Sequence, residues 1–236
     1  MCGRLTITTP ASTLANMFGA SPAEADEAPR YNVAPTQTVL TLGQSEAGRS
    51  LGWLNWGMRA RRPVGRPRLV INARSDTLGQ RPMFAGLMDR GRCAVLADSF
   101  FEWREEGGLK RPYLIRRRDR RPLVMAALRT RQEGGQACVI VTTEANELLA
   151  PLHLRMPAIL GGGAEEPWIG RAPAGEASEC LAPLQNDLLE AVPLGTRVNG
   201  TANDDAGCIE PAGQPVRTRS QWAERPATGP AQTSLF

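Results

Sequence analysis

The chain has 236 residues, 42% of them apolar, enough to bury a substantial core in one large domain or two small ones. No run approaches the roughly 20 apolar residues that a membrane helix needs. Met1-Cys2-Gly3-Arg4 also lacks the charged start and apolar stretch of a secretory signal, so a soluble, cytoplasmic protein is expected. The net charge is +4, and Lys110 is the single lysine among 28 basic residues, which leaves the α-amine as almost the only free amine for imine chemistry.

Taken in chain order, Thr9-Pro10 followed by Leu14, Met17 and Phe18 and closed by Gly19 predicts a short capped helix. Two arginine clusters, Arg59, Arg61, Arg62, Arg66 and Arg68, then Arg116, Arg117, Arg118, Arg120 and Arg121, suit a phosphate backbone or a solvated, screened surface. Pro82 to Asp89 predicts a second helix, stopped near Gly91. From Cys93 to Ile140, apolar runs of strand length are separated by EEGG, RDR and QEGG, a pattern of antiparallel strands joined by turns. A helix is expected from Thr143 as N-cap through Leu149, a strand at Pro157–Leu160 and a last helix around Ser178–Ala191. The order is irregular, so the fold class is α+β: one compact β-rich domain of mainly antiparallel strands with short flanking helices. Its expected extent is 2–199. Residues 200–236, rich in Gly, Pro, Ala, Thr and charge, read as a flexible tail.

Cys2, Cys93, Cys138, Cys180 and Cys208 are widely spaced and form no C-x-x-C pair, and His153 is the single histidine. That pattern opposes a disulfide framework and a multi-histidine metal site, and no cofactor is expected. Cys93 and Cys138 lie in apolar runs where a buried, inert thiol is usual. Cys2 is different. A small second residue allows Met1 to be removed, and a cysteine that begins a chain is a 1,2-aminothiol. Its amine forms an imine with an aldehyde and its thiol closes a five-membered thiazolidine on the same carbon; both groups reach reactive forms near neutrality with modest help.

Three further residues suit proton transfer or positioning. His153 lies in LHLRMP; a lone histidine is also an ordinary structural residue. Glu102 stands between Phe101 and Trp103, where apolar surroundings would raise its pKa unless it faces solvent. Asn72 follows an apolar strand and could orient a reacting group or merely form a turn.

Together these blocks are specific. MCGR at the N-terminus, RYNVAPTQ at 30–37, INARSDT at 71–77, RCAVLADSFFEW at 92–103, KRPYLI at 110–115 and VTTEANELLAPLHLRMPAIL at 141–160 resemble the SOS response-associated peptidase (SRAP) family of abasic-site-processing proteins. The resemblance covers roughly residues 2–199. It implies a domain that binds single-stranded DNA and links Cys2 covalently, as a thiazolidine, to the aldehyde of an abasic site in the DNA damage response. Asn72, Glu102 and His153 are the implied catalytic partners, and Arg4, Arg74 and Arg155 the implied DNA contacts; Trp56 or Trp53 could supply a base-stacking ring or belong to the core. Lyase-type cleavage through the imine and self-processing of the N-terminus as a peptidase are also implied. The chain departs from the family pattern at WGMRAR, 56–61, which lacks the family's proline and second aromatic residue, at Asp76 where Glu is usual, and at MAALR, 125–129.

The C-terminal QTSLF resembles the peptide that bacterial repair proteins insert into the sliding clamp, with Gln232, Leu235 and Phe236 as contacts. The expected partners are therefore abasic single-stranded DNA and the replicative clamp, with the protein itself a monomer associated with the nucleoid. Two other readings compete: an N-terminal-nucleophile cysteine amidohydrolase, whose members also begin Cys-Gly, and a non-catalytic single-stranded DNA-binding module.

Overall fold

The strand-length apolar runs after Arg92 form five consecutive strands, and their turns carry the backbone freedom that hairpins demand. Between β9 (Ser99–Glu106) and β10 (Leu109–Arg117) the two-residue loop is Gly107-Gly108, with φ of 57° and 77°. A tight hairpin that follows the right-handed strand twist needs φ above zero at both positions, which glycine adopts without steric cost. The computed structural model describes residues 2–24, 26–60, 67–170 and 172–223.

Two sheets make the body. One has the order β14 (Leu189–Pro193), β10, β9, β1 (Leu5–Ile7), β2 (Arg30–Val33). The other runs β11 (Leu123–Gln132), β8 (Arg92–Ala97), β3 (Thr38–Ser45), β4 (Gly48–Trp56), β12 (Gly135–Glu144), and β12 pairs again with β11. These five strands thus close on themselves, which removes the exposed edges a flat sheet would offer. β12 outruns β11 and β4, and its far half pairs in parallel with β7 (Asn72–Arg74) and antiparallel with β13 (Arg155–Pro157). A separate hairpin joins β5 (Met58–Ala60) to β6 (Arg68–Val70). Leu40, Leu42, Val95, Leu96, Val139 and Ile140 are among the fully buried residues of the core.

The helices are short. α1 (Ala11–Phe18) ends at Gly19 in the left-handed conformation, as its sequence predicts. The helix expected at Pro82–Asp89 is two single turns, α2 (Pro82–Ala85) and α3 (Leu87–Arg90), hinged at Gly86. α4 (Glu165–Ile169), α5 (Ala174–Glu179) and α6 (Ser220–Ala223) complete the set.

Three expectations are corrected. The segment after Thr143 is not a helix: β12 continues to Glu144 because β13 pairs with Thr142–Glu144, and turns follow. Asn146 ties those turns down, its Oδ1 accepting from Leu149 N and its Nδ2 donating to Leu184 O. The helix expected over Ser178–Ala191 stops at Glu179, and Leu189–Pro193 is a strand on the edge of β10. A local pattern lost here to a partner strand distant in sequence. The strand expected at 157–160 lies earlier, at Arg155–Pro157, and beyond it only Ile159 bridges to Met125.

A further correction concerns the tail, because residues 200–223 pack on the domain. Asp204 accepts from the backbone N–H of Tyr31 and Asn32 and from Arg30 Nε. Val216 and Ala191 exchange backbone hydrogen bonds, and Arg217 pairs with the buried Glu190. Trp222 is buried edge-on to Tyr113 and donates from Nε1 to Leu148 O at 2.8 Å. Gln232, Leu235 and Phe236 lie outside the described residues, as do Met1, Arg61, Arg62 and Arg66.

Candidate functional site

Parallel pairing of β7 with β12 sets Asn72 opposite Ile140 and Arg74 opposite Thr142, while β13 sets Arg155 opposite Glu144. The ends of three strands therefore bring Asn72, Arg74, His153 and Arg155 to the wall of one groove of ≈ 820 Å³. Arg68 from β6, and Arg81, Pro82, Met83 and Phe84 at the start of α2, line it too. Four arginines facing one groove favour an anionic ligand. Arg68 and Arg81 had no functional motif of their own in the sequence; the arginine cluster around Arg59–Arg68 was the available signal for the first.

Cys2 and Glu102 lie behind that wall. β1 pairs antiparallel with β9, Leu5 opposite Phe100, and Arg4 O accepts from Phe101 N, so the chain before β1 runs alongside Glu102. Asn72 makes the link to the groove. Its Nδ2 donates to Cys2 O at 2.9 Å, and its buried Oδ1 has no hydrogen-bond partner among the described residues. An unmet buried acceptor costs on the order of 1–3 kcal/mol, so this oxygen is poised for a donor from outside.

The electrostatics are unusual for a carboxylate and a thiol. Burial raises Glu102 from 4.5 to about 7, against the opposing pull of the N-terminal charge. Burial also pushes the Cys2 thiol well up, and Glu102 adds to that shift; Cys2 Sγ lies 4.0 Å from Arg4 O. Glu102 can therefore act as acid or base near neutrality, and burial, helped by Glu102, holds the thiol in its neutral form. Burial lowers His153, so its imidazole is neutral at pH 7. Its Nδ1 is 2.9 Å from Arg155 N and 3.1 Å from Arg155 O. A backbone N–H always donates, so Nδ1 accepts there and the ring proton sits on Nε2.

The arginines differ in what they can offer. Arg74 forms a two-pronged pair with Asp76, at 3.1 and 2.6 Å, on the exposed side of the groove. Arg155 is held from within by Thr142 Oγ1 and Thr142 O, and lies 3.6 Å from Asp76. Arg4 is not in the groove. Its guanidinium is engaged by Asn32 Oδ1, Val198 O and Asn199 O and stands over the Trp103 ring, which fixes the strand that carries Cys2. Trp56 is corrected: it is fully buried, its Nε1 donates to Ile71 O at 3.1 Å, and no base can reach its ring. In the second arginine cluster, Arg116 and Arg120 converge with Arg217 on Glu190, and Arg117 pairs with Asp119. Arg116, Arg120 and Arg217 thus serve the packing of the C-terminal segment, and Arg117 braces the turn after β10.

Among the described residues no group of three or more His, Cys, Asp or Glu is placed to hold a metal ion, and no helix is long and apolar enough to cross a membrane.

The family model described as SOS response associated peptidase (SRAP) matches residues 1–201. The abasic site processing protein YoqW of Bacillus subtilis (strain 168) is 31% identical over 224 residues, 89% of this chain and 99% of its own. The abasic site processing protein YedK of Escherichia coli (strain K12) is 34% identical over 189 residues, 77% of this chain and 84% of its own. Among solved structures, a protein from Bacteroides thetaiotaomicron has the same fold, with a TM-score of 0.76 at 24% identity, covering 89% of this chain and all (100%) of that one. A phage-related protein from Bordetella bronchiseptica gives 0.65 at 26% identity over 82% and 94% of the two chains. With nearly the whole domain matched in sequence and in fold, the chain belongs to the SOS response associated peptidase (SRAP) family.

Proposed function

We propose that this protein binds single-stranded DNA in the arginine-lined groove and captures abasic sites there as a covalent thiazolidine on Cys2. The observation that carries the reading is the Asn72 link: one side chain lines the groove, holds Cys2 O at 2.9 Å and keeps a free acceptor. Curated relatives along the whole domain are abasic site processing proteins, which supports the substrate class.

The chemistry follows from the groups present. With Met1 removed, the neutral α-amine of Cys2 adds to the aldehyde carbon of the ring-opened sugar and gives a carbinolamine. Glu102, its carboxyl raised to about 7 by burial, donates the proton that lets water leave, and an iminium remains. The thiol then adds to the same carbon while its proton passes to the Glu102 carboxylate. One aldehyde and one aminothiol become one thiazolidine and one water, and Glu102 ends as it began. Asn72 Oδ1 accepts from the α-amine, and His153 presents Nε2–H to the sugar. If the 2′ proton leaves at the iminium stage, the 3′ phosphate is expelled and the strand is cut, which is the lyase branch; ring closure by sulfur removes the iminium and suppresses it. Removal of Met1 is the self-processing step this scheme requires.

The test mixes Met-processed protein with abasic and intact oligonucleotides of one sequence. A heat- and denaturant-stable adduct on the abasic strand alone, absent in Cys2→Ser, is the expected result. No adduct from processed protein refutes the capture reading. Binding without adduct selects the non-catalytic DNA-binding module, and ammonia release from glutamine selects the amidohydrolase. The clamp-binding reading of Gln232, Leu235 and Phe236 rests on the sequence of the tail.

A further inference from the structure

Leu154 is 80% exposed, the highest value among the large apolar side chains of the described residues. Single exposed leucines are common on protein surfaces and by themselves need no explanation. This one differs in where it stands and how it is held. It lies between His153 and Arg155 and lines the groove whose other residues include Arg68, Arg74, Arg81 and Arg155. Its backbone is fixed on both sides: Leu154 O accepts from Ala145 N at 3.0 Å, and Arg155 N donates to His153 Nδ1. The side chain is thus carried on a rigid turn, so little conformational freedom of the backbone is lost when a ligand covers it. Across the same groove α2 contributes Pro82 and Met83, an apolar stretch among arginines.

An apolar surface beside cations suits a ligand that is itself divided between flat apolar faces and anionic links. A single-stranded nucleic acid has that division, with phosphates for the arginines and unstacked base faces for the leucine. We infer that Leu154 is a specificity-determining contact: it packs against the face of a nucleobase flanking the captured position and sets the register that brings the abasic sugar to His153 and Asn72. The inference rests on the DNA-capture reading and deepens it.

The test measures equilibrium binding of the Cys2→Ser protein, which cannot form the thiazolidine, to two fluorescent single strands. Both carry a stable tetrahydrofuran abasic analogue; in one the flanking nucleotides keep their bases, and in the other they are tetrahydrofuran as well. Leu154→Ala should weaken binding to the first strand about three- to tenfold and leave binding to the second within about twofold. Leu154→Met should restore most of the loss. Leu154 is exposed, so these variants are expected to fold, and unchanged melting verifies it. An equal effect of Leu154→Ala on both strands, or none on either, overturns the base-packing inference while the DNA-capture reading stands. Failure of the Cys2→Ser protein to bind either strand overturns both.

Discussion

Glu102→Gln is the most informative substitution in the molecule, because it separates what the site does for chemistry from what it costs the fold. In the unfolded chain the carboxyl titrates at its ordinary 4.5, and in the folded protein at about 7. That difference corresponds to about 3 kcal/mol against the ionised form in the folded state. The sign follows from which state binds the proton. Below 4.5 the group is protonated in both states and folding is not penalised. Between 4.5 and about 7 the unfolded chain releases its proton while the folded one retains it, so wild-type stability falls as pH rises through that window and levels off above it. Glutamine is neutral throughout and escapes the loss. Denaturant unfolding at about pH 5 and about pH 8 should therefore show Glu102→Gln gaining on the wild type by roughly 2–3 kcal/mol at the higher pH. The same variant should form adduct about 100-fold more slowly, since general acid–base assistance of this kind typically contributes about 10² to 10⁴. A stability difference that does not change with pH would refute the claim that burial raises this carboxyl, and unchanged adduct kinetics would remove its assigned part in proton transfer.

Four further outcomes are expected. Asn72→Ala loses one hydrogen bond to Cys2 O and should slow adduct formation about tenfold, read as a rate at saturating DNA, with a stability loss of roughly 1 kcal/mol. Trp56→Ala should lower unfolding stability by about 3–5 kcal/mol while the folded fraction keeps its DNA affinity, because the ring is core and not a stacking platform; a selective loss of binding by a fully stable variant would reverse that assignment. Truncation after Asn199 removes Asp204, Arg217 and Trp222 and should abolish cooperative thermal unfolding. Truncation after Ala223 should leave melting and adduct formation unchanged but eliminate binding to a purified sliding clamp, and persistent clamp binding there would dismiss the role of Gln232, Leu235 and Phe236.

The sequence by itself determined the local chemistry and the elements whose signals are local. Gly19 ended α1 because a left-handed cap needs glycine, and Gly107-Gly108 made a two-residue hairpin for the same reason. It also singled out Cys2, Asn72, Glu102 and His153, not one residue at a time but through the blocks around them, which together resemble one family. Tertiary structure decided everything that depends on partners distant along the chain. β12 could extend through Glu144, and Leu189–Pro193 could become a strand, because β13 and β10 offered unpaired edges that no local pattern records. Packing placed Trp56 in the core, tied Arg4 to Asn32, added Arg68 and Arg81 to the groove, and drew residues 200–223 from the expected tail onto the domain. Above all, the shift of Glu102 to about 7 arises from burial behind Cys2. The sequence names a carboxylate beside aromatic residues; only the fold decides whether water reaches it.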